Sequence, residues 1–267
     1  MARPVGAERQ TYAVNSNDFL YINEGEGRDH GFLHLQATVA ATEEPRRLKP
    51  VNIYYHTYAG ETVAQLAAVR HNLDEARKSS LTPIAASQYP AIAEGFVTTE
   101  IIAVEGLKWR IRNRGALQTV RFDDAAGVEL DLAKSTGVIG QNRKGSTLYV
   151  ALDEAYDEAV IALAPSDSRV TQPQLPYLID SRWQFRDLDR RDCGFKVTAQ
   201  GFGSGQMHWG GLTPGKYRLL AQVDDKPVWE TVEEIDESGR LELTVEANAI
   251  QPVVVTAACA DARELRR

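Results

Sequence analysis

Polar and apolar positions follow two different periods along this chain. Its organising stretch is Pro50-Val-Asn-Ile-Tyr-Tyr-His-Thr-Tyr-Ala-Gly60. Val51, Ile53 and Tyr55 alternate with Asn52 and Tyr54, which predicts a packed strand ending in a polar, aromatic lip. Gly60 breaks the run and Glu61 opens a helix. His56 is therefore expected at the carboxyl end of a strand, where the loops of parallel α/β sheets converge on one crevice. The helix should span Thr62 to Lys78, with Leu66, Val69, Leu73 and Ala76 as its apolar stripe. Glu61 at its start and Arg77 and Lys78 at its end suit the macrodipole. Leu81 to Ala86 reads as a second short strand. Ser87 should cap a helix through Pro90 to Glu94 that stops at Gly95. Strand, helix, strand and helix make a βαβ unit, which would put His56, Ser87 and Gln88 on one sheet edge. Upstream, Gly31 to Val39 alternates as a strand would, after a polar, irregular first 30 residues. Thr42 to Lys49 is a charged connection.

From about Ile101 helical periods give way to short alternating runs. Leu107 to Arg112 and Ala116 to Phe122 should form a hairpin about Asn113-Arg-Gly115. Trp109 and Ile111 would face inward, and Lys108, Arg110 and Arg112 outward. Ser146 to Leu152 is a further strand, and Pro165 to Pro176 reads as a linker. Phe195–Gln200, Lys216–Val223, Val228–Ile235, Leu241–Ala247 and Gln251–Ala258 complete the pattern of an antiparallel β-sandwich. The expected fold is α+β and multidomain. Its parts are an α/β segment over residues 1–105, a β-rich extension over 106–164 and a sandwich over 165–267.

Composition narrows the function classes. Hydrophobic residues make up 43% of the 267, enough for a packed core. A net charge of -7 disfavours nucleic acid as the main partner. No apolar run approaches the roughly 20 residues that span a bilayer, and the first residues lack the apolar middle of a signal peptide. The two cysteines, Cys193 and Cys259, read as separate buried thiols, with a disulfide as the alternative in an oxidising compartment. No cysteine–histidine cluster suggests zinc.

Five histidines offer chemistry. His56 is the foremost acid/base candidate, since imidazole exchanges protons near neutral pH; its bland alternative is a histidine hydrogen-bonded by its tyrosine neighbours. His30 and His34 have i, i+4 spacing, but on a strand they would stand too far apart to share an ion. His71 reads as solvated. His208 falls in the glycine-rich run Gly203-Ser-Gly-Gln-Met-His-Trp-Gly-Gly211, which reads as a flexible loop without the spacing of a phosphate cradle. Lys108, Arg110, Arg112, Arg114 and Arg121 form a basic patch on an acidic chain, most simply a solvated face. Trp183, Trp209 and Trp229 would stack on sugar rings if exposed. No GxSxG motif is present.

Arg46-Arg-Leu-Lys-Pro-Val-Asn-Ile-Tyr-Tyr-His-Thr-Tyr-Ala-Gly60 resembles the carboxyl-terminal part of Pel-type exopolysaccharide deacetylases. Ala85-Ala-Ser-Gln-Tyr89, Gly115-Ala-Leu-Gln-Thr-Val-Arg121 and Ser135-Thr-Gly-Val-Ile-Gly140 extend the likeness in the same order, over roughly residues 12 to 260. The resemblance implies a partial (β/α) deacetylase-type barrel followed by the sandwich, in a periplasmic protein of exopolysaccharide and biofilm matrix production. It implies hydrolysis of N-acetylhexosamine amides with a divalent metal, zinc in expectation. His56 would be the acid that protonates the leaving amine, with Tyr55, Tyr58 and Trp209 holding the polysaccharide. The family's metal-binding aspartate and HxxxH pair belong to an earlier part of the barrel, which is expected to be absent here; His30 and His34 mimic the HxxxH spacing but stand in the wrong context. The chain is thus expected to lack a metal of its own and to act only when completed by the missing half of the barrel, its expected partner. The alternative is a non-catalytic carbohydrate-binding or scaffold module.

Overall fold

The computed structural model describes residues 2–6, 8–11, 16–17, 31–41, 50–79, 81–166, 175–246 and 251–260. His30, the charged connection before Pro50 and most of the expected linker lie outside them. The chain divides into two compact units, Met1–Leu81 and Thr82–Arg267. The fold is α+β and rich in sheet, and among the described residues no closed barrel is formed.

In the first unit β1 (Ala2–Val5) and β2 (Glu8–Thr11) pair as an antiparallel hairpin, where the sequence suggested irregular chain. β3 (Ser16–Asn17) pairs in parallel with β4 (Ile53–Tyr54), so the central strand is shorter than its alternation promised. Gly31–His34 is a 3-10 turn leading into α1 (Leu35–Ala41) rather than a strand. The helical period wins because Phe32, Leu35 and Val39 pack together against Ala59, Ala68 and Val69. α2 (Val63–Lys78) runs as expected, capped by Thr62, whose side chain accepts from the Gln65 amide at 3.2 Å. Its buried stripe is Ala68, Val69 and Asn72, while Leu73 is exposed. Asn72 can be buried because it is hydrogen-bonded at both ends: it donates to the Phe32 carbonyl at 2.8 Å and accepts from Gln36 at 3.1 Å.

The predicted strand at Leu81–Ala86 is absent, so the βαβ unit does not form. Pro83 has no N–H to give a ladder. A 3-10 turn (Ala86–Gln88) leads instead into α3 (Tyr89–Thr98). Gly95 sits inside α3 rather than ending it. A Cβ there would strike the Arg114 carbonyl and the Leu117 side chain, so glycine permits close packing.

The strands that follow among the described residues are β5 (Glu100–Ala103), β6 (Lys108–Arg112), β7 (Thr119–Phe122), β8 (Val128–Leu130), β9 (Val138–Lys144), β10 (Thr147–Leu152), β11 (Ala159–Pro165), β12 (Tyr177–Ser181), β13 (Gln184–Arg191), β14 (Gly194–Gln200), β15 (Gly205–Gly210), β16 (Gly215–Val223), β17 (Lys226–Ile235), β18 (Leu241–Val245) and β19 (Val253–Cys259). They form a six-stranded sheet ordered β18-β15-β12-β9-β10-β7, a five-stranded sheet β13-β14-β19-β16-β17 and a four-stranded sheet β5-β6-β11-β8. The six-stranded sheet takes strands from both sides of residue 165. β6 pairs with β5 and β11, and β7 with β10, so the expected 107–122 hairpin is not formed. Ile111 is nevertheless buried, as its alternation required.

One core lies between the five-stranded sheet and the β12-β15-β18 end of the six-stranded sheet, as in a sandwich. There Leu241, Leu243 and Val245 are buried, as their alternation with Glu242 and Thr244 predicts. A second core sets Leu148, Val150 and Leu152 against Ile111, Leu130 and Ile161 of the four-stranded sheet. At the β16–β17 turn Asp224 and Asp225 both adopt positive φ, 48° and 60°, the geometry of a two-residue hairpin loop. Cys193 and Cys259 are joined as a disulfide, with Cα atoms 5.7 Å apart, which corrects the expectation of separate thiols. The neighbouring pair Gly194 and Ala258 on β14 and β19 brings the two together.

Candidate functional site

The site residues nearest His56 are assembled by the chain's local path. β4 ends at Tyr54. His56 stays extended, with φ −89° and ψ 155°, and precedes the 3-10 turn Thr57–Gly60. The turn is closed by the Ala59 amide donating to the His56 carbonyl at 3.0 Å, and the buried Ala59 methyl anchors it. His56 thus does stand between a strand and a helix, as the sequence implied. The Tyr58 ring lies nearly parallel to the imidazole, 8° between planes and 4.8 Å between centroids. The Tyr58 hydroxyl and His56 Nδ1 are 3.0 Å apart. Tyr54 meets the imidazole edge-on at 5.2 Å. Tyr54, Tyr55 and Tyr58 are 46%, 45% and 37% exposed, and His56 is half-buried.

This arrangement has definite chemical capacity. In the neutral ring the Tyr58 hydroxyl donates to Nδ1 and Nε2 carries the proton; in the protonated ring Nδ1–H donates to the Tyr58 oxygen, and the Nε2 proton is the one a general acid passes on as it returns to neutral imidazole. The exposed tyrosines flanking it combine apolar faces with hydroxyl tips, a surface suited to a ligand that is itself both ring-shaped and hydroxylated.

The other expected participants stand elsewhere. Trp209 is 0% exposed, stacked on Phe195 at 3.8 Å and edge-on to Phe185 at 5.8 Å. Its ring therefore has no face open to a sugar, which corrects its role as a substrate platform. Trp183 is buried too, and Trp229 is half-buried against the sandwich core. His208 is not on a loop: it lies on β15, with Met207 and Trp209 turned to the core. Its Nδ1 meets Asp180 of β12 at 2.6 Å.

The basic patch also dissolves on inspection. Arg110, Arg112 and Arg121 pair with Glu158, Glu100 and Asp123 at 3.1, 2.7 and 3.3 Å. Arg114 is buried and donates to the carbonyls of Leu117, Asp153 and Tyr156. Its burial lowers its pKa from the usual arginine value.

His34 closes the 3-10 turn before α1, and its carbonyl accepts from Thr38 at 3.3 Å. Among the described residues no three His, Cys, Asp or Glu side chains converge as a group that could hold a metal ion. Among the described residues, too, no helix is long and apolar enough to cross a membrane. Comparison with known proteins finds no matching family model, no matching curated protein and no matching solved structure.

Proposed function

We propose that this chain is the carboxyl-terminal portion of a polysaccharide deacetylase-like protein acting on N-acetylhexosamine polymers in exopolysaccharide modification. The observation that carries the reading is the His56 cluster: a half-buried imidazole, oriented by the Tyr58 hydroxyl and flanked by exposed tyrosines. In the reaction His56, in its protonated form, would donate its Nε2 proton to the departing amine as the C–N bond of the water adduct breaks, leaving neutral imidazole, free amine and acetate, while Tyr55 and Tyr58 pack against the sugar rings. The parallel β3–β4 pair and the helix after it support reading the first unit as a piece of a deacetylase-type barrel. The Cys193–Cys259 disulfide supports an oxidising, extracytoplasmic setting, periplasmic by the resemblance. The metal and the groups that bind it would come from a partner segment carrying the aspartate and HxxxH pair.

The test is acetate release from an N-acetylhexosamine oligomer with added zinc. The chain is assayed alone and together with a barrel segment bearing those motifs. Release is expected only from the mixture, with His56→Ala lowering it about 10²–10⁴-fold. Release by the chain alone, or full activity in the His56→Ala mixture, would overturn the reading.

A further inference from the structure

A cleft of about 460 Å³ opens within the second unit, between the segment that starts at Thr82 and the six-stranded sheet. That volume falls in the range of roughly 300–1,000 Å³ typical of small-ligand sites. Its walls are tied together. Thr82 Oγ1 donates to the Ser181 carbonyl at 3.1 Å, and Gln88 Nε2 donates to Gln184 Oε1 at 3.3 Å. Gln88 is itself held, because its Oε1 accepts from the Ala85 amide at 2.8 Å. The cleft is therefore a preformed feature.

Its polar groups are mostly uncharged. Asn142 and Gln184 bring carboxamides, and Tyr149 brings a ring with a hydroxyl; Gln141 is turned away, its Oε1 accepting from the Leu130 amide of the four-stranded sheet. Asn142 and Tyr149 are direct cross-strand partners on β9 and β10, so the amide and the ring stand side by side. The lining contains no lysine or arginine. Its one charged group is Asp180, with its side chain 53% exposed and one carboxylate oxygen engaged by His208. Isoleucine and leucine side chains such as Ile84, Ile92 and Leu117 supply the apolar remainder.

We infer that this cleft binds an uncharged, hydroxyl- and amide-bearing ligand: a short segment of neutral hexose or N-acetylhexosamine chain. Carboxamides both donate and accept, which matches hydroxyl and acetamido groups. The absence of a cation and the presence of Asp180 disfavour a polyanion. The ring of Tyr149 and the aliphatic walls match the apolar faces of sugar rings. The ligand class is shared with the reading of His56, but the argument uses only the lining of this cleft.

The test uses the whole 267-residue chain and ¹⁵N–¹H spectra. The probe is the β-linked tetramer of N-acetylglucosamine, and a uronate tetramer is the control. Saturable shifts are expected in the side-chain amides of Asn142 and Gln184, with none from the uronate. Tyr149→Ala and Asn142→Ala should each weaken binding about tenfold while the dispersed spectrum is retained. Asn142→Gln gives a second, milder variant should Tyr149→Ala disturb the sheet. Shifts absent up to about 10 mM, equal for the uronate, or confined to residues near His56 would overturn the inference. Acetate release is not part of the readout, so failure here and failure of the deacetylase reading are distinguishable.

Discussion

Replacing Asp153 by alanine should unfold the second unit more readily than any surface change. Asp153 is 2% exposed and follows the last residue of β10. Its Oδ1 accepts from the amides of Ala155 and Asp187 at 3.0 and 2.9 Å, and its Oδ2 accepts from Leu188 at 2.9 Å. Asp187 stands at positive φ, 58°, inside the irregularity that interrupts the pairing of β13 with β14. The carboxylate therefore holds a bulge whose amides have left the ladder. Hydrogen bonds to a charged group contribute about 1.5–3 kcal/mol each, so three give a gross loss of about 4.5–9 kcal/mol. Losing the carboxylate also relieves its desolvation, worth several kcal/mol. The net expectation is about 3–5 kcal/mol. In urea, followed by circular dichroism, that moves the midpoint by about 2 M at a slope of about 2 kcal/mol/M. Asp153→Asn keeps the shape and one acceptor but turns an N–H₂ toward the Leu188 amide, and should lose about half as much. Hydrogen exchange at Asp187 and Leu188 should speed up in both variants. A loss below about 1 kcal/mol for Asp153→Ala, with unchanged exchange at those amides, would refute the reasoning.

Three further outcomes are expected. Reducing the Cys193–Cys259 bridge, whose partners are 66 residues apart, should lower stability by about 4 kcal/mol on the chain-entropy model, read as a lower midpoint in dithiothreitol; the denatured, unreduced chain should show no titratable thiol. Trp209→Phe should change stability by less than about 1.5 kcal/mol, because the buried indole Nε1 has no acceptor to lose, whereas Trp209→Ala should lose about 3–5 kcal/mol; thermal melting of the two variants checks the contrast. Hydrogen bonds from Arg112 and Asn113 hold the Glu100 carboxyl below its ordinary value of 4.5. A lowered folded pKa means stability present above 4.5 and lost as pH falls through the folded value, so any gap in melting temperature between the natural chain and Glu100→Gln should be seen at pH 7 and narrow as the pH is taken progressively below 4.5.

What could be read from the sequence follows how far apart the deciding partners are. Alternation in Leu241–Val245 located a strand and its buried face, because period 2 is a property of the strand alone. The helix from Val63 was legible for the same reason, down to its Thr62 cap. Pairing was not. The 107–122 hairpin looked natural, yet β6 found β11 and β7 found β10, partners up to 54 residues away in sequence. Glycine-rich chain around His208 looked like a loop because glycine usually marks one. Here Gly205 and Gly210 make room for the rings of Trp183 and Tyr177, and the segment is a sheet strand. The strand read at Gly31–Val39 failed because apolar residues at 32, 35 and 39 also fit a helix, and packing against Ala68 and Val69 decided between them.

The same rule separates the two candidate sites. His56 and Tyr58 are two residues apart, so a strand end followed by a 3-10 turn suffices to stack them, and the sequence alone pointed to that histidine. The cleft beside Asn142 and Tyr149 needs the Thr82 segment, β7, β9, β10 and β12 at once. No local motif announces it, since each carboxamide taken singly reads as an ordinary polar surface residue. Only the sheet order, which places the parallel neighbours β12 and β9 together, brings Asp180 and Asn142 to one wall. Gly140 permits that approach: a Cβ there would collide with the backbone of Leu178. Gly140→Ala should therefore weaken any ligand binding in the cleft while the His56–Tyr58 pair, set by its own few residues, is left as it was.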